Sequence, residues 1–228
     1  MKLDAVVPWG RTLAEYQAMF NLSDASLSAW SNVRILGCGD GPASFNAEMT
    51  QRGFAVTSID PIYEFTAIQI RQRVEDTYAT IVNQLQQNLG GYVWREFRNP
   101  EALGQARLGA MESFLQDYPE GQLAGRYQCQ ALPKLAFRDQ EFGLCLCSHL
   151  LFLYSEQLSL EFHLAAISEL LRVAREVRIF PLVQLNGKVS PYVESVIENF
   201  SERGFSVNIE TVTYEFQKGG NQMLRIGI

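Results

Sequence analysis

Residues 33–60, VRILGCGDGPASFNAEMTQRGFAVTSID, decide the fold. Val33-Arg34-Ile35-Leu36 is short and β-branched, which suits a buried strand. Gly37, Gly39 and Gly41 then strip three side chains from a tight turn. Pro42 suits the first turn of a helix, where its missing N–H is no loss. That helix is predicted to run through Phe45 and Met49 to a stop at Gly53, with Ala55-Val56-Thr57-Ser58-Ile59 returning as a strand. Such a unit leaves bare backbone N–H groups and the positive end of a helix beside the second strand's carboxyl end, where Asp60 stands. The combination points to a nucleoside cofactor.

Glycine spacing narrows the choice. Gly37-x-Gly39-x-Gly41 is not the Gly-x-Gly-x-x-Gly of a dinucleotide site, because the third glycine position holds Pro42. No Gly-Lys-Ser/Thr follows, so a P-loop is excluded. A nucleoside cofactor without a pyrophosphate fits these residues better than NAD.

The chain of 228 residues is 47% hydrophobic and 19% charged, which suits a single α/β domain with a full core. A formal net charge of −6 without a run of Lys or Arg argues against a nucleic-acid partner. MKLDAVVPWGR lacks the apolar stretch of an export signal, and no segment approaches a membrane span. Cys38, Cys129, Cys145 and Cys147 lack disulfide or zinc-finger spacing, which fits a reducing cytoplasm.

Working outward from the glycine turn, Leu13, Tyr16 and Phe20 recur at helical spacing, and Ser23 starts a second short helix carrying Leu27 and Trp30. After Asp60 the next credible strand waits until Tyr127, far longer than an ordinary crossover. Phe65 to about Leu89 reads as one long helix, with Ile70, Val74, Tyr78, Ile81 and Leu85 at helical spacing and Gly90-Gly91 as its stop. Tyr92, Trp94 and Phe97 form an aromatic loop, and Pro100 opens a further helix ended by Pro119 and Gly121. Residues 62–125 therefore form a helical cap, too short to bury its own core well. The α/β rhythm resumes with strands near Tyr127, at Gly143 to Ser148 and at Val177 to Val183, and helices at Leu158 to Val173 and Pro191 to Phe200. Phe205 to about Phe216, the turn Gln217-Lys218-Gly219-Gly220-Asn221, and Met223 to Ile228 make a closing hairpin.

From Val33 to the carboxyl terminus, apart from the cap, the arrangement resembles the class I S-adenosylmethionine-dependent methyltransferases. Leu36-Gly37-Cys38-Gly39-Asp40-Gly41 is similar to that family's first motif, whose glycines approach the methionine portion of the cofactor. The resemblance implies a three-layer α/β/α sandwich around a mostly parallel seven-stranded sheet of order 3214576 with an antiparallel last strand. It also implies S-adenosyl-L-methionine as cofactor. Asp60, followed by Pro61, stands where the family holds the ribose hydroxyls, two acceptor oxygens facing two adjacent donors. Gln130, before Ala131, takes the place of the often acidic adenine contact, and Asp40 is expected to orient cofactor backbone or water. Leading helices within 1–31 would cover the site, making Arg11 and Tyr16 candidates to meet the methionine carboxylate and close the pocket.

Methyl transfer needs a nucleophile held in line, and a base only when the acceptor keeps its proton. The fourth strand runs into Ser148-His149, expected at the rim with Ser148 beside the cofactor, His149 as base or orienting residue, and Tyr154 near the acceptor. Tyr63, Arg71, Trp94, His163, Gln184 and Asn186 are candidate substrate contacts. Plain alternatives stand beside these: core packing for Tyr63 and Trp94, a solvated charge for Arg71, a hydrogen-bonded, loop-fixing histidine for His149, a structural role for His163, and a surface turn for Gln184 and Asn186. Cys145, Cys147 and His149 alternate along one strand face, but same-face positions sit ~6.6 Å apart, so small buried hydrophobes are expected rather than a metal site. Ser148-His149-Leu150-Leu151 is unlike the Asn/Asp-Pro-Pro-aromatic run of base-amine methylators, which favours a small-molecule acceptor. The rival expectations are a non-catalytic S-adenosylmethionine-binding sensor and an NAD-dependent oxidoreductase. The cap aromatics equally suit a homodimer interface.

Overall fold

The computed structural model describes residues 9–227. The first eight residues of the expected helical cover over 1–31, and Ile228 at the end of the closing hairpin, lie outside them. The chain begins with α1 (Leu13–Met19) and α2 (Asp24–Ser28). The first half-unit follows as β1 (Ile35–Cys38), α3 (Phe45–Gln51) and β2 (Val56–Ile59). The insertion holds α4 (Ala67–Gln87) and α5 (Pro100–Leu123). Then come β3 (Tyr127–Gln128), β4 (Phe142–Ser148), α6 (Leu160–Val173), β5 (Ala174–Phe180), α7 (Val193–Glu202), β6 (Ser206–Thr211) and β7 (Gln222–Gly227).

The seven strands are ordered β3-β2-β1-β4-β5-β7-β6, with β7 antiparallel to both neighbours, as expected. β4 shows why the sheet needs helices on both sides. Its Leu144 and Leu146 pack on Tyr16 of α1, Phe20 just after it, and Phe45 and Met49 of α3, while Cys145 and Cys147 meet Ile167 and Leu170 of α6 and Val196 and Phe200 of α7. Each fully buried Leu or Phe in these layers contributes about 1.5–3 kcal/mol of transfer free energy. Cys145 and Cys147 are core residues, and no metal-holding group of His, Cys, Asp or Glu is found among the described residues.

Two local expectations are corrected. Helix α3 starts at Phe45, not at Pro42, because Gly41-Pro42-Ala43 continues the turn. The donor at its start is not bare: the Ser44 N–H donates to the Arg11 carbonyl (3.0 Å), which ties the leading segment to the turn. Helix α5 also runs through Pro119 and Gly121 to Leu123. Gly121 is there for close approach, since a Cβ on it would lie 2.4 Å from the Tyr127 ring. The stop comes at Gly125, whose φ of 73° ends the helix in the left-handed region.

The insertion is an antiparallel helix pair, with Arg71 facing Glu112 and Gln86 facing Glu101. It does not bury a core alone. Met111, Phe114 and Tyr118 of α5 pack on Tyr63 and Tyr127 at the β2–β3 edge. Ile81 and Leu85 of α4 meet Tyr92, Trp9 and Phe216. Helix α4 thus crosses from the end of β2 towards the β6–β7 connection.

Candidate functional site

A cavity of about 760 Å3 lies along the carboxyl ends of the central strands, between them and α4. Its floor is the glycine turn. Gly39 and Gly41 take φ of 68° and 54°, a region closed to most side chains. Asp40 folds back beneath the turn, so that a Cβ on Gly37 would lie 1.8 Å from Oδ2 of Asp40. The Tyr16 hydroxyl donates to Oδ1 of Asp40 (2.7 Å) and the Ser58 hydroxyl to Oδ2 (2.5 Å). Burial, helped by the nearby Asp60 charge and opposed by these two bonds, pushes the Asp40 carboxyl up to about 7. Asp60 closes the floor. Its Oδ2 accepts the Gly41 N–H (3.0 Å) and its Oδ1 the Ile62 N–H (2.9 Å). Burial raises its pKa against the pull of those donors.

The leading segment forms the next wall. Thr12 caps α1 through a capping box with Glu15, and the carboxylate of Glu15 reaches further. It pairs with Arg107 of α5, which is 1% exposed, and accepts the Tyr214 hydroxyl (3.0 Å). Arg107 also donates to Tyr214 (3.2 Å). Arg11 lines the cavity beside this cluster, giving one N–H to the Trp9 carbonyl (3.0 Å). Its Nε–H is buried without a hydrogen-bond partner. Burial and then Arg107 lower the Arg11 pKa, so this guanidinium sits in want of an anion.

The third wall is the exit from β4. His149 takes φ of 54°, uncommon for a side chain of its size, and its N–H donates to the Phe180 carbonyl (2.7 Å). Nδ1 lies 2.9 Å from the Ser148 hydroxyl and the ring meets Phe180 edge-on. Burial first, then Arg11 and Arg107, hold the imidazole well below its ordinary range, so it is neutral at pH 7.

Among the residues singled out from sequence, Arg11, Cys38, Gly39, Asp40, Gly41, Asp60, Pro61, Gln130, Ala131, Ser148, His149 and Tyr154 line this one cavity. Gln130 reaches it with its amide already engaged, accepting from Ala136 N–H and donating to Gln128 (both 2.8 Å). Tyr16 and Gly37 stand one layer back, through Asp40. The expected substrate contacts are placed elsewhere, each for a local reason. Tyr63 is buried against Phe114, and its hydroxyl donates to the Gly41 carbonyl (2.8 Å), bracing the turn from behind. Arg71 pairs with Glu112 on the outer surface, and Trp94 donates to the Leu89 carbonyl (3.0 Å). His163 has both ring nitrogens on backbone, Nε2 accepting from Phe152 and Nδ1 against the Ser159 carbonyl (2.9 and 2.8 Å). Gln184 and Asn186 fold onto their own turn through Val189 and Lys188.

Sequence reasoning missed Arg107, Tyr214 and the α4 wall of Thr77, Ile81 and Leu85. Arg107 had a signal, since it falls four residues from both Leu103 and Met111 on the apolar face of its helix. Ile81 and Leu85 had none, because a stripe facing a cavity looks like a stripe facing a core.

No family model matches the chain. A protein of Methanocaldococcus jannaschii, described as uncharacterized protein MJ0045, is 33% identical over 227 residues, which is 99% of this chain and 98% of that one. The solved structure of the bifunctional kinase-methyltransferase WbdD superposes with a TM-score of 0.50 at 10% identity, over 94% of this chain and 38% of WbdD. Magnesium protoporphyrin IX methyltransferase from Synechocystis PCC 6803, crystallised with bound SAM, gives 0.49 at 14% identity, over 93% of this chain and 79% of that one. The likeness to WbdD is one of fold, the class I methyltransferase fold already visible in the strand order.

Proposed function

The chain belongs to one family with the Methanocaldococcus jannaschii protein, and we propose that it is an S-adenosylmethionine-dependent methyltransferase acting on a small-molecule acceptor. One observation carries the reading: the glycine turn, Asp60 and an arginine with an orphaned, buried Nε–H converge on a single cavity. The donor set fits the cofactor. Arg11 answers its methionine carboxylate, and the substituent-free Gly39 and Gly41 admit its backbone-like portion to the turn. Each oxygen of Asp60 already takes one backbone N–H and keeps a second acceptor direction for a ribose hydroxyl. Ile62 and Leu132 offer apolar faces for adenine.

When bound, the cofactor supplies a methyl carbon made electrophilic by its sulfonium. The chain's own part is positioning and proton handling. Ser148 fixes the imidazole of His149, and the tautomer with Nδ1–H on the Ser148 oxygen leaves Nε2 as the acceptor. A neutral imidazole at the cavity wall takes a proton from an acceptor hydroxyl without first losing one of its own. The α4–α5 pair over the cavity excludes water and limits the acceptor to small-molecule size. Four free cysteines suit a reducing compartment such as the cytoplasm.

Calorimetric titration with S-adenosylhomocysteine and with NAD tests the cofactor. S-adenosylhomocysteine is expected to bind with a negative heat-capacity change and NAD not to bind. Binding of NAD alone, or of neither, overturns the reading.

A further inference from the structure

The cavity's charged side chains are not spread evenly. Asp40, Asp60 and Glu64 stand on the turn side and Arg11 with Arg107 at the leading segment, while Arg73 and Asp76 belong to the early half of α4. Arg73 lies 3.6 Å over the Phe65 ring, and Asp76 accepts from Gln72 (2.8 Å) on the outer face. From Thr77 onward the α4 wall changes character. Ile81 and Leu85 face Tyr92 and Phe216, with Leu153 and Phe162 arriving from the β4–α6 side. The amide of Gln217, the polar group beside Phe216, is spent on the Gln184 and Leu185 carbonyls (2.8 and 3.2 Å).

Charge accounting at the arginine pole is equally informative. Arg107 is ion-paired with Glu15, although its Nε–H, like that of Arg11, is buried without a partner, and among the described residues Arg11 is the guanidinium of this pole without an ion pair. On the cofactor reading, on which this inference rests, a single methionine carboxylate satisfies it. Of the cavity's cations that leaves only Arg73, which is exposed, stacked on the Phe65 ring and donating to the Gln69 carbonyl, and the apolar wall beyond Thr77 repays none of the desolvation of a charge. A cationic acceptor would meet the cofactor's sulfonium, Arg11 and Arg107 together.

We propose that the methyl acceptor is an uncharged, largely apolar small molecule, seated on Ile81, Leu85, Tyr92 and Phe216 with its nucleophilic hydroxyl towards His149. An amine of ordinary basicity arrives protonated and is refused, and a carboxylate finds no counter-charge on these four residues. In the transfer step the hydroxyl oxygen forms the new O–C bond to the methyl carbon as the S–C pair returns to sulfur. The hydroxyl proton passes to Nε2 of His149, and solvent receives it afterwards.

Three probes with one ring system and different charges test this: 2-naphthol, 2-naphthoate and 2-naphthylmethylammonium, titrated at pH 7 into the whole protein saturated with S-adenosylhomocysteine. The naphthol is expected to bind about tenfold or more tighter than either ion. Leu85→Asp is expected to abolish naphthol binding while the affinity for S-adenosylhomocysteine, which reports an intact fold, is kept. Thr77→Lys, at a half-exposed position of the same wall, is expected to turn the preference towards the naphthoate. Equal or tighter binding of either ion to the unaltered protein, or no binding of any probe, overturns the acceptor class and leaves the cofactor standing. Failure of S-adenosylhomocysteine itself to bind overturns both.

Discussion

On the turn side of the cavity the two buried carboxylates are already held, Asp40 by Tyr16 and Ser58, Asp60 by two backbone N–H groups. On the α4 side Ile81, Leu85, Tyr92 and Phe216 meet one another through carbon. Preset hydrogen bonds fix where a ligand's atoms must stand, so the turn side suits one invariant molecule. An apolar wall sets only size and polarity, and its members can change without disturbing the fold beneath. On the proposed reading, the division of labour between a fixed cofactor and a specific acceptor follows the type of interaction on each side.

The contrast breaks most completely if the turn side loses its preset bonds. Gly37→Ala places a methyl group where the Asp40 carboxylate lies, and the site reorganises or the fold gives way. A loss of about 3–5 kcal/mol in denaturant stability is expected, with S-adenosylhomocysteine binding abolished. An equivalent loss without any effect on binding would show that Asp40 serves the fold alone.

Acidity probes the same pair more gently. Because burial raises the Asp40 pKa from 3.8 to about 7, the fold prefers its protonated form. The stability so gained is complete below the unfolded value and is lost as pH rises through about 7, a change of roughly 4 kcal/mol at most. Asp40→Asn should flatten that part of the stability–pH curve, measured by urea denaturation between the two limits. A curve unchanged by the substitution would place the ionisation elsewhere.

The smallest effect sharpens the comparison rather than breaking it. Arg11→Met removes a charged donor from the cofactor side and with it an unsatisfied buried N–H. Affinity for S-adenosylhomocysteine is expected to fall by about 1.5–3 kcal/mol, while the melting temperature without ligand stays level or rises. A drop in melting temperature with intact affinity would make Arg11 a structural residue.

The fold was legible because its determinants are local and repeated. The β-branched runs, the glycine turn and the terminal hairpin each mark a strand, and the order observed is the one that the resemblance to class I methyltransferases implies. Local features misled where one residue type serves two purposes. Pro119-Glu120-Gly121 looks like a stop, yet Gly121 only makes room for Tyr127. Of the site, the contiguous part around Gly39 and Asp60 was readable. His163 drew attention by rarity and turned out to hold the loop, with both nitrogens on backbone. Thr12-x-x-Glu15 announced a helix cap, but nothing in the spacing shows that the same carboxylate meets Arg107 and Tyr214. Such long-range partners are set by topology rather than by pattern.

Those three residues also set an order of assembly. Glu15 comes from the first helix, Arg107 from the insertion and Tyr214 from the last connection, separations of 92 and 199 residues from Glu15. A ribosome must therefore release the chain past residue 214 before the cluster can close, and long-range closures of this kind come late in folding. The glycine turn of a nascent chain has its motif but not its wall. On the proposed reading ligand capture waits for Tyr214, and a truncation before residue 214 is expected to leave the motif intact and the cavity open.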